Sequence, residues 1–237
     1  MTKRILIIAV HGAGLQGSFF GALAPHLLDF ALKAVTLPGH DARRGDALLA
    51  DIPAMAAWLG HEIDAVPAEY DVVLLGHSMG ALVALEAAGH PRVRAAVLLG
   101  SAAEMPVHPD LLQTARDNPA AAGDMVAKWG IYRAHAQADT LRTVLGHMMA
   151  AVPPAAIGHD LAACNAYKGA AAAAARAQKP VLVLAADSDK MTPLAGAQAL
   201  ADMLPQSTFV IAEEAGHMLP IEKPLECANE IKAFLQA

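Results

Sequence analysis

Six short, mostly apolar runs punctuate the chain, at residues 5–10, 32–37, 72–75, 93–99, 181–185 and 208–211. Runs of this length, bounded by turn-forming residues and rich in Val, Ile and Leu, predict strands buried on both faces. Between them the apolar spacing changes to steps of three and four. Ile52, Met55, Ala56, Leu59, Ile63 and Val66 form such a stripe, with Asp51 placed to cap it and Pro53 in its first turn. Further helices are predicted over 19–30, despite Pro25, over 81–88, closed by Gly89 and Pro91, around 194–204 and over 225–234. Buried strands alternating with helices predict an α/β fold, a mostly parallel sheet flanked by helices.

The alternation breaks between Gly100 and Lys179. That stretch contains helical pieces at 111–115, 121–132 and 140–151, an Ala-rich helix at 170–177, and five prolines, Pro106, Pro109, Pro119, Pro153 and Pro154. An interruption of about 80 residues is too long for a connection. It reads as a helical lid, roughly 104–178, inserted before the fifth strand of a single domain spanning 1–237. Right-handed crossovers bring the C-terminal ends of all strands to one sheet edge. That edge therefore gathers residues 11–14, Ser78, the lid and the segment after Ala186, and it is where α/β folds place their sites.

Composition narrows the picture. Hydrophobic residues make up 55% of the chain, enough for a large core, and the formal charge is −6, which offers no basic surface for nucleic acid. Cys164 and Cys227 have neither metal-ligand nor disulfide spacing, which fits a cytoplasmic protein. The basic residues Lys3 and Arg4 precede an apolar run too short for a signal peptide, so a buried strand is expected there. No stretch approaches a membrane span.

The candidate chemistry lies at Gly76-His77-Ser78-Met79-Gly80, between a predicted strand and a predicted helix. A strand that turns directly into a helix lifts its central side chain clear of the sheet, and crowding two positions either side demands Gly: this is a nucleophile elbow, with Ser78 as nucleophile. A Ser hydroxyl needs a base, and the base needs an orienting acid. Asp187 and Asp189 follow the fifth strand and His217 follows the sixth.

The order Ser, Asp, His and the motifs around it resemble the α/β-hydrolase superfamily, specifically its compact esterase-like members with a helical cap. The matching stretches are His11-Gly12-Ala13-Gly14, Leu37-Pro38-Gly39-His40, the elbow, Asp189 with Pro193, and Gly216-His217 with Glu222 and Pro224. The family's additional strand pair before its His-Gly strand has no counterpart ahead of residue 5, and Ala186 stands where the family often has Gly. The resemblance implies an α/β-hydrolase fold, His217 as base, Asp189 as acid, and an oxyanion hole formed by the N–H groups of Met79 and Ala13. Asp189 is favoured over Asp187 and Glu104 because its spacing to Pro193 matches the family.

Gly12 and Gly14 let the loop after the first strand approach a substrate. His77, Trp129 and Met148 are candidate substrate contacts, with packing as their alternative role; His11 is expected to be structural. His108, His135, His147 and His159 lack metal-ligand spacing, and no metal or cofactor is expected. The expected activity is hydrolysis of a carboxylic ester with an apolar acyl or alcohol group through an acyl-enzyme. A thioester, an activated amide or a carbon–carbon bond beside a carbonyl would suit the same residues. A low-turnover ligand receptor is the rival from another class.

Overall fold

The computed structural model describes residues 4–236. Six parallel strands form one sheet: β1 (Arg4–Val10), β2 (Ala31–Val35), β3 (Tyr70–His77), β4 (Val93–Leu99), β5 (Val181–Ala186) and β6 (Ser207–Ala212). Their spatial order is β2-β1-β3-β4-β5-β6. The strand expected at residues 5–10 is present, and the first three residues of the basic segment before it lie outside the described residues.

Strand periodicity of two sorts the core into two layers. Ile8, Val10, Val72, Leu74, Ala96, Leu98, Val181 and Val183 face one side. Ile7, Ala9, Val73, Leu75, Val97, Leu99, Leu182 and Leu184 face the other. Both faces are covered, which explains why the strands read as apolar runs without polar alternation.

The first face is covered by α1 (Ile52–Asp64), α2 (Met79–Ala87) and, further along the chain, the Ala-rich helix 170–176 and the helix 194–203. Asp51 caps α1 as expected, its carboxylate accepting from the Ala54 N–H at 2.8 Å. The α2 helix is apolar all round because it is buried all round, and only Glu86 escapes, to pair with Arg176.

Between β4 and β5 come α3 (Pro109–Asp117), α4 (Pro119–Gly130), α5 (Ala138–Ala150), α6 (Pro154–Ala166) and α7 (Ala170–Arg176). After β5 come α8 (Leu194–Met203), α9 (Leu219–Glu222) and α10 (Pro224–Gln236). Helices α3 to α6 add Leu111, Val126, Leu145, Ile157 and Leu161 to the second layer, beside Phe19 and Phe20 and the buried face of α10. None of the described helices is long and apolar enough to cross a membrane.

Three details differ from the sequence reading. No helix runs over 19–30: the chain makes two 3₁₀ turns, Gly17–Gly21 and Ala24–His26. Pro25 cannot donate to the preceding turn, and a Cβ at Gly17 would press on the Ala34 carbonyl at 2.8 Å, so the segment stays tight against β2. The strand expected over 32–37 begins and ends earlier, freeing Leu37 for the site. The helix α6 was not anticipated. Pro153 and Pro154 read as punctuation, yet Pro154 occupies a first helical turn, where a missing N–H costs nothing.

Candidate active site

Ser78 stands between β3 and α2 with φ +54° and ψ −119°, a strained backbone for a residue with a side chain. Its own N–H is held by the Leu99 carbonyl at 2.9 Å. A Cβ at Gly76 would overlap the Gly80 carbonyl, and one at Gly80 would overlap the Val10 carbonyl. The two glycines are therefore steric necessities of this turn.

The Ser78 Oγ–H donates to His217 Nε2 at 2.8 Å, and His217 Nδ1–H donates to Asp189 Oδ2 at 2.8 Å. Both partner side chains are buried. Asp189 is fixed by the turn after β5: its Oδ1 accepts from the N–H of Met191 and of Thr192, each at 2.8 Å, and Thr192 Oγ1–H donates to Oδ2 at 2.6 Å. Burial pushes its carboxyl up. The adjacent His217 and the donors from Thr192 outweigh burial and hold it below the usual carboxylate range. An ionised Asp189 keeps the His217 proton on Nδ1 and leaves Nε2 free to accept from serine.

The His217 loop is tied down from the opposite side. The Gly130 carbonyl at the end of α4 accepts from the His217 N–H at 2.7 Å. Glu222 accepts from the N–H groups of Gly216 at 3.0 Å, Met218 at 2.9 Å and Tyr132 at 2.7 Å. Its carboxyl is nonetheless raised, because burial outweighs these bonds.

The rival carboxylates lie elsewhere. Asp187 spans to the turn after β6, accepting from the N–H groups of Glu214 at 3.1 Å and Ala215 at 3.4 Å. Glu104 is exposed and paired with Lys168 at 2.7 Å. Of the three candidate acids, the structure brings only Asp189 to His217.

The N–H groups of Ala13 and Met79 have no internal hydrogen-bond partner among the described residues, and Ala13 and Ser78 line the same cavity. His11 lies behind that loop, its Nδ1–H donating to the Gly12 carbonyl at 2.9 Å and its Nε2 accepting from the Leu37 N–H at 3.1 Å. Burial, with His40 nearby, lowers its pKa to about 4. His77 is likewise held neutral, by burial and then by His217, with a pKa of about 3; its Nε2–H donates to the His217 carbonyl at 2.9 Å.

Above Ser78 lies a cavity of about 620 Å³. Gly12, Ala13, His77, Ser78 and His217 contribute to it from the sheet edge, and Met105, Leu111, Val126, Trp129, Leu161 and Cys164 from the segment after β4. Two expected contacts stand apart from it. Met148 is not among its lining residues and packs into the second core layer, because α5 stands behind α4. Gly14 turns away from the cavity: its N–H donates to Asp160 at 2.9 Å, and a Cβ there would press on Ile157 and Met149 at 3.1 Å. No group of three or more His, Cys, Asp or Glu side chains suited to a metal occurs among the described residues.

Sequence reasoning missed Asp160, whose only signal was the single acidic residue of an Ala-rich helix. It also missed Thr192, whose signal was a hydroxyl three residues after a turn carboxylate. Gln16, His40 and Ser101 are further buried polar residues around the sheet edge. Of these, His40 pairs with Asp160 at 2.8 Å.

A model of the Alpha/beta hydrolase family matches residues 7–230. A pimeloyl-[acyl-carrier protein] methyl ester esterase of Xanthomonas campestris pv. campestris is 30% identical over 253 residues, covering 98% of this chain and 95% of that protein. An enzyme with the same name from Aromatoleum aromaticum is 28% identical over 247 residues, covering 94% of each. A thermophilic esterase from Thermogutta terrifontis, 22% identical, superimposes with a TM-score of 0.84 over all of this chain and 91% of the other. The six-stranded parallel sheet, the helices on both its faces and the extent of these matches lead to one conclusion: the chain belongs to the alpha/beta hydrolase family.

Proposed function

We propose that this chain is a serine hydrolase that cleaves a carboxylic ester through an acyl-enzyme. The observation that carries the reading is the continuous relay Ser78–His217–Asp189, with both contacts at 2.8 Å, opening into the cavity. As His217 takes the serine proton on Nε2, Ser78 Oγ attacks the ester carbonyl. Asp189 steadies the imidazolium that forms. The N–H groups of Met79 and Ala13 receive the developing oxyanion, usually the largest single contribution to such catalysis. His217 returns the proton to the departing alcohol, then activates a water that releases the acid. No step calls for a metal or cofactor.

Helices α3 to α6 serve as the lid in this reading. Met105, Leu111, Val126, Trp129 and Leu161 give the cavity an apolar lining, which favours an apolar acyl chain or alcohol as a small-molecule substrate. The methyl ester esterases among its relatives support a small alcohol and a longer acyl chain.

The test is a set of methyl and p-nitrophenyl esters of increasing acyl length beside the matching thioesters, with a fluorophosphonate probe in parallel. Ester turnover with labelling of Ser78 is expected, and Ser78→Ala should lose turnover by about 10³-fold or more because the covalent route disappears. Undiminished hydrolysis by the alanine variant would refute the assignment, and preferential thioester cleavage would move the substrate class.

A further inference from the structure

The N–H of Ala13 is useful to an oxyanion only if it keeps its direction, and the chain around it is a loop. The peptide that carries this N–H also carries the Gly12 carbonyl, and in a trans peptide the two point in opposite directions. His11 Nδ1–H holds that carbonyl at 2.9 Å, so the Ala13 N–H is aimed away from His11. The next peptide carries the Gly14 N–H, which is held at 2.9 Å by Asp160 Oδ2 from α6. Both peptide planes flanking Ala13 are thus fixed by buried side chains.

Asp160 is itself held. Its Oδ2 also accepts from His40 Nε2–H at 2.8 Å, and both residues are fully buried. The other nitrogen of His40 meets the Pro38 carbonyl at 3.0 Å. Burial works against a charged ring here, but the neighbouring Asp160 outweighs it and favours the doubly protonated imidazole, in which both nitrogens donate. A buried pair of this kind returns little net stability, because desolvation offsets most of the attraction. Its geometry is more informative. Two segments far apart in sequence, Pro38 to His40 and α6, converge on one amide of the loop after β1.

We propose that Asp160, held by His40, is a positioning residue that orients the Ala13 N–H toward the oxyanion. The inference rests on the reading of Ser78 as nucleophile. Asp160 touches no reacting atom; it acts through the Gly14 amide. Because Asp160 belongs to α6, the same bond ties the roof of the cavity to its oxyanion donor.

The test compares Asp160→Asn and Asp160→Leu with the wild type, with kcat normalised to sites labelled by a fluorophosphonate so that misfolded protein does not count. Asn keeps an oxygen for the Gly14 N–H but loses the charge; Leu loses both. Asp160→Leu should lower kcat by about 10²-fold, with KM changed by no more than about threefold, because misdirecting one donor acts on the transition state. Asp160→Asn should recover part of that loss, ending about 10-fold below wild type, since a charged acceptor binds roughly twice as strongly as a neutral one. Affinity for a trifluoromethyl ketone, whose adduct carries the oxyanion, should fall in step with kcat. If Asp160→Leu does not fold, Asp160→Asn decides alone. Equal kcat per labelled site in the Asn variant and the wild type, whatever the change in Tm, would overturn the positioning role. A wild type that hydrolyses no ester and takes no label would instead overturn the functional reading, and the inference with it.

Discussion

Asp187 and Asp189 leave the same turn after β5, two residues apart, and their carboxylates serve different partners. Asp187 accepts backbone N–H groups of the neighbouring β6 turn, while Asp189 turns inward to His217, held by Thr192 and by two N–H groups of its own turn. The resemblance favours Asp189, through a spacing to Pro193 that matches the family, but it does not exclude Glu104. That choice depends on which loop reaches His217, a tertiary fact. The expected outcome is correspondingly sharp. Asp189→Asn should cost about 10²–10⁴-fold in kcat, because an amide favours the wrong tautomer of His217. Asp187→Asn and Glu104→Gln should stay within a few-fold of wild type. Steady-state kinetics on one ester decides the matter, and a crippled Glu104→Gln beside a competent Asp189→Asn would reassign the acid.

Among the elements, those that fill the interior were legible and those that frame the cavity were less so. A strand such as β3, or a fully buried helix such as α2, is specified by its own apolar residues, and the elbow between them by two glycines that no other residue could replace. The helices after β4 lean on one another and on the second core layer. Their burial is partial and their prolines mark starts as well as stops, as at Pro109, Pro119 and Pro154. The sequence therefore announced an insertion without saying which residues face the substrate. Trp129 lines the cavity and Met148 does not. Trp129→Ala is expected to alter relative rates across an acyl-length series by about 10-fold, the worth of roughly two buried methylene groups at most. Met148→Ala should lower Tm and leave those ratios unchanged. The opposite pattern would mean that α5, not α4, shapes the pocket.

Over the whole molecule, the imidazoles packed around the sheet edge set how the fold responds to acid. His11 and His77 are neutral when folded, with values of about 4 and about 3, against an ordinary value of 6.5 when the chain is unfolded. Below pH 6.5 the unfolded chain binds protons that the folded chain refuses, so stability falls with pH from there toward 4. His40 works in the opposite sense: its value is raised because Asp160 outweighs the cost of burial, so its contribution is complete below 6.5 and fades as pH rises through its folded value. Asp189, whose value is lowered, keeps its full contribution above the ordinary carboxylate range and loses it as pH falls through its folded value. Tm should decline from pH 7 to pH 4, and His77→Gln should flatten that decline. A wild-type Tm that holds constant over this range would contradict the burial of two neutral imidazoles.

The cross-stitching between the segment after β4 and the rest of the chain bears on how such enzymes can be recombined. The Gly130 carbonyl and the Tyr132 N–H grip the loop of His217 and Glu222, while Asp160 grips Gly14 and His40. Gly130 and Tyr132 contribute backbone atoms, which an exchanged segment of the same fold would bring with it, whereas Asp160 contributes a side chain. Swapping 104–178 for a segment with no carboxylate at that point would leave Nε2 of the buried His40 without a partner, whereas Glu222 keeps the N–H groups of Gly216 and Met218. A transferable segment 104–178 must therefore bring a carboxylate matched to the histidine at 40, or be accompanied by a change there.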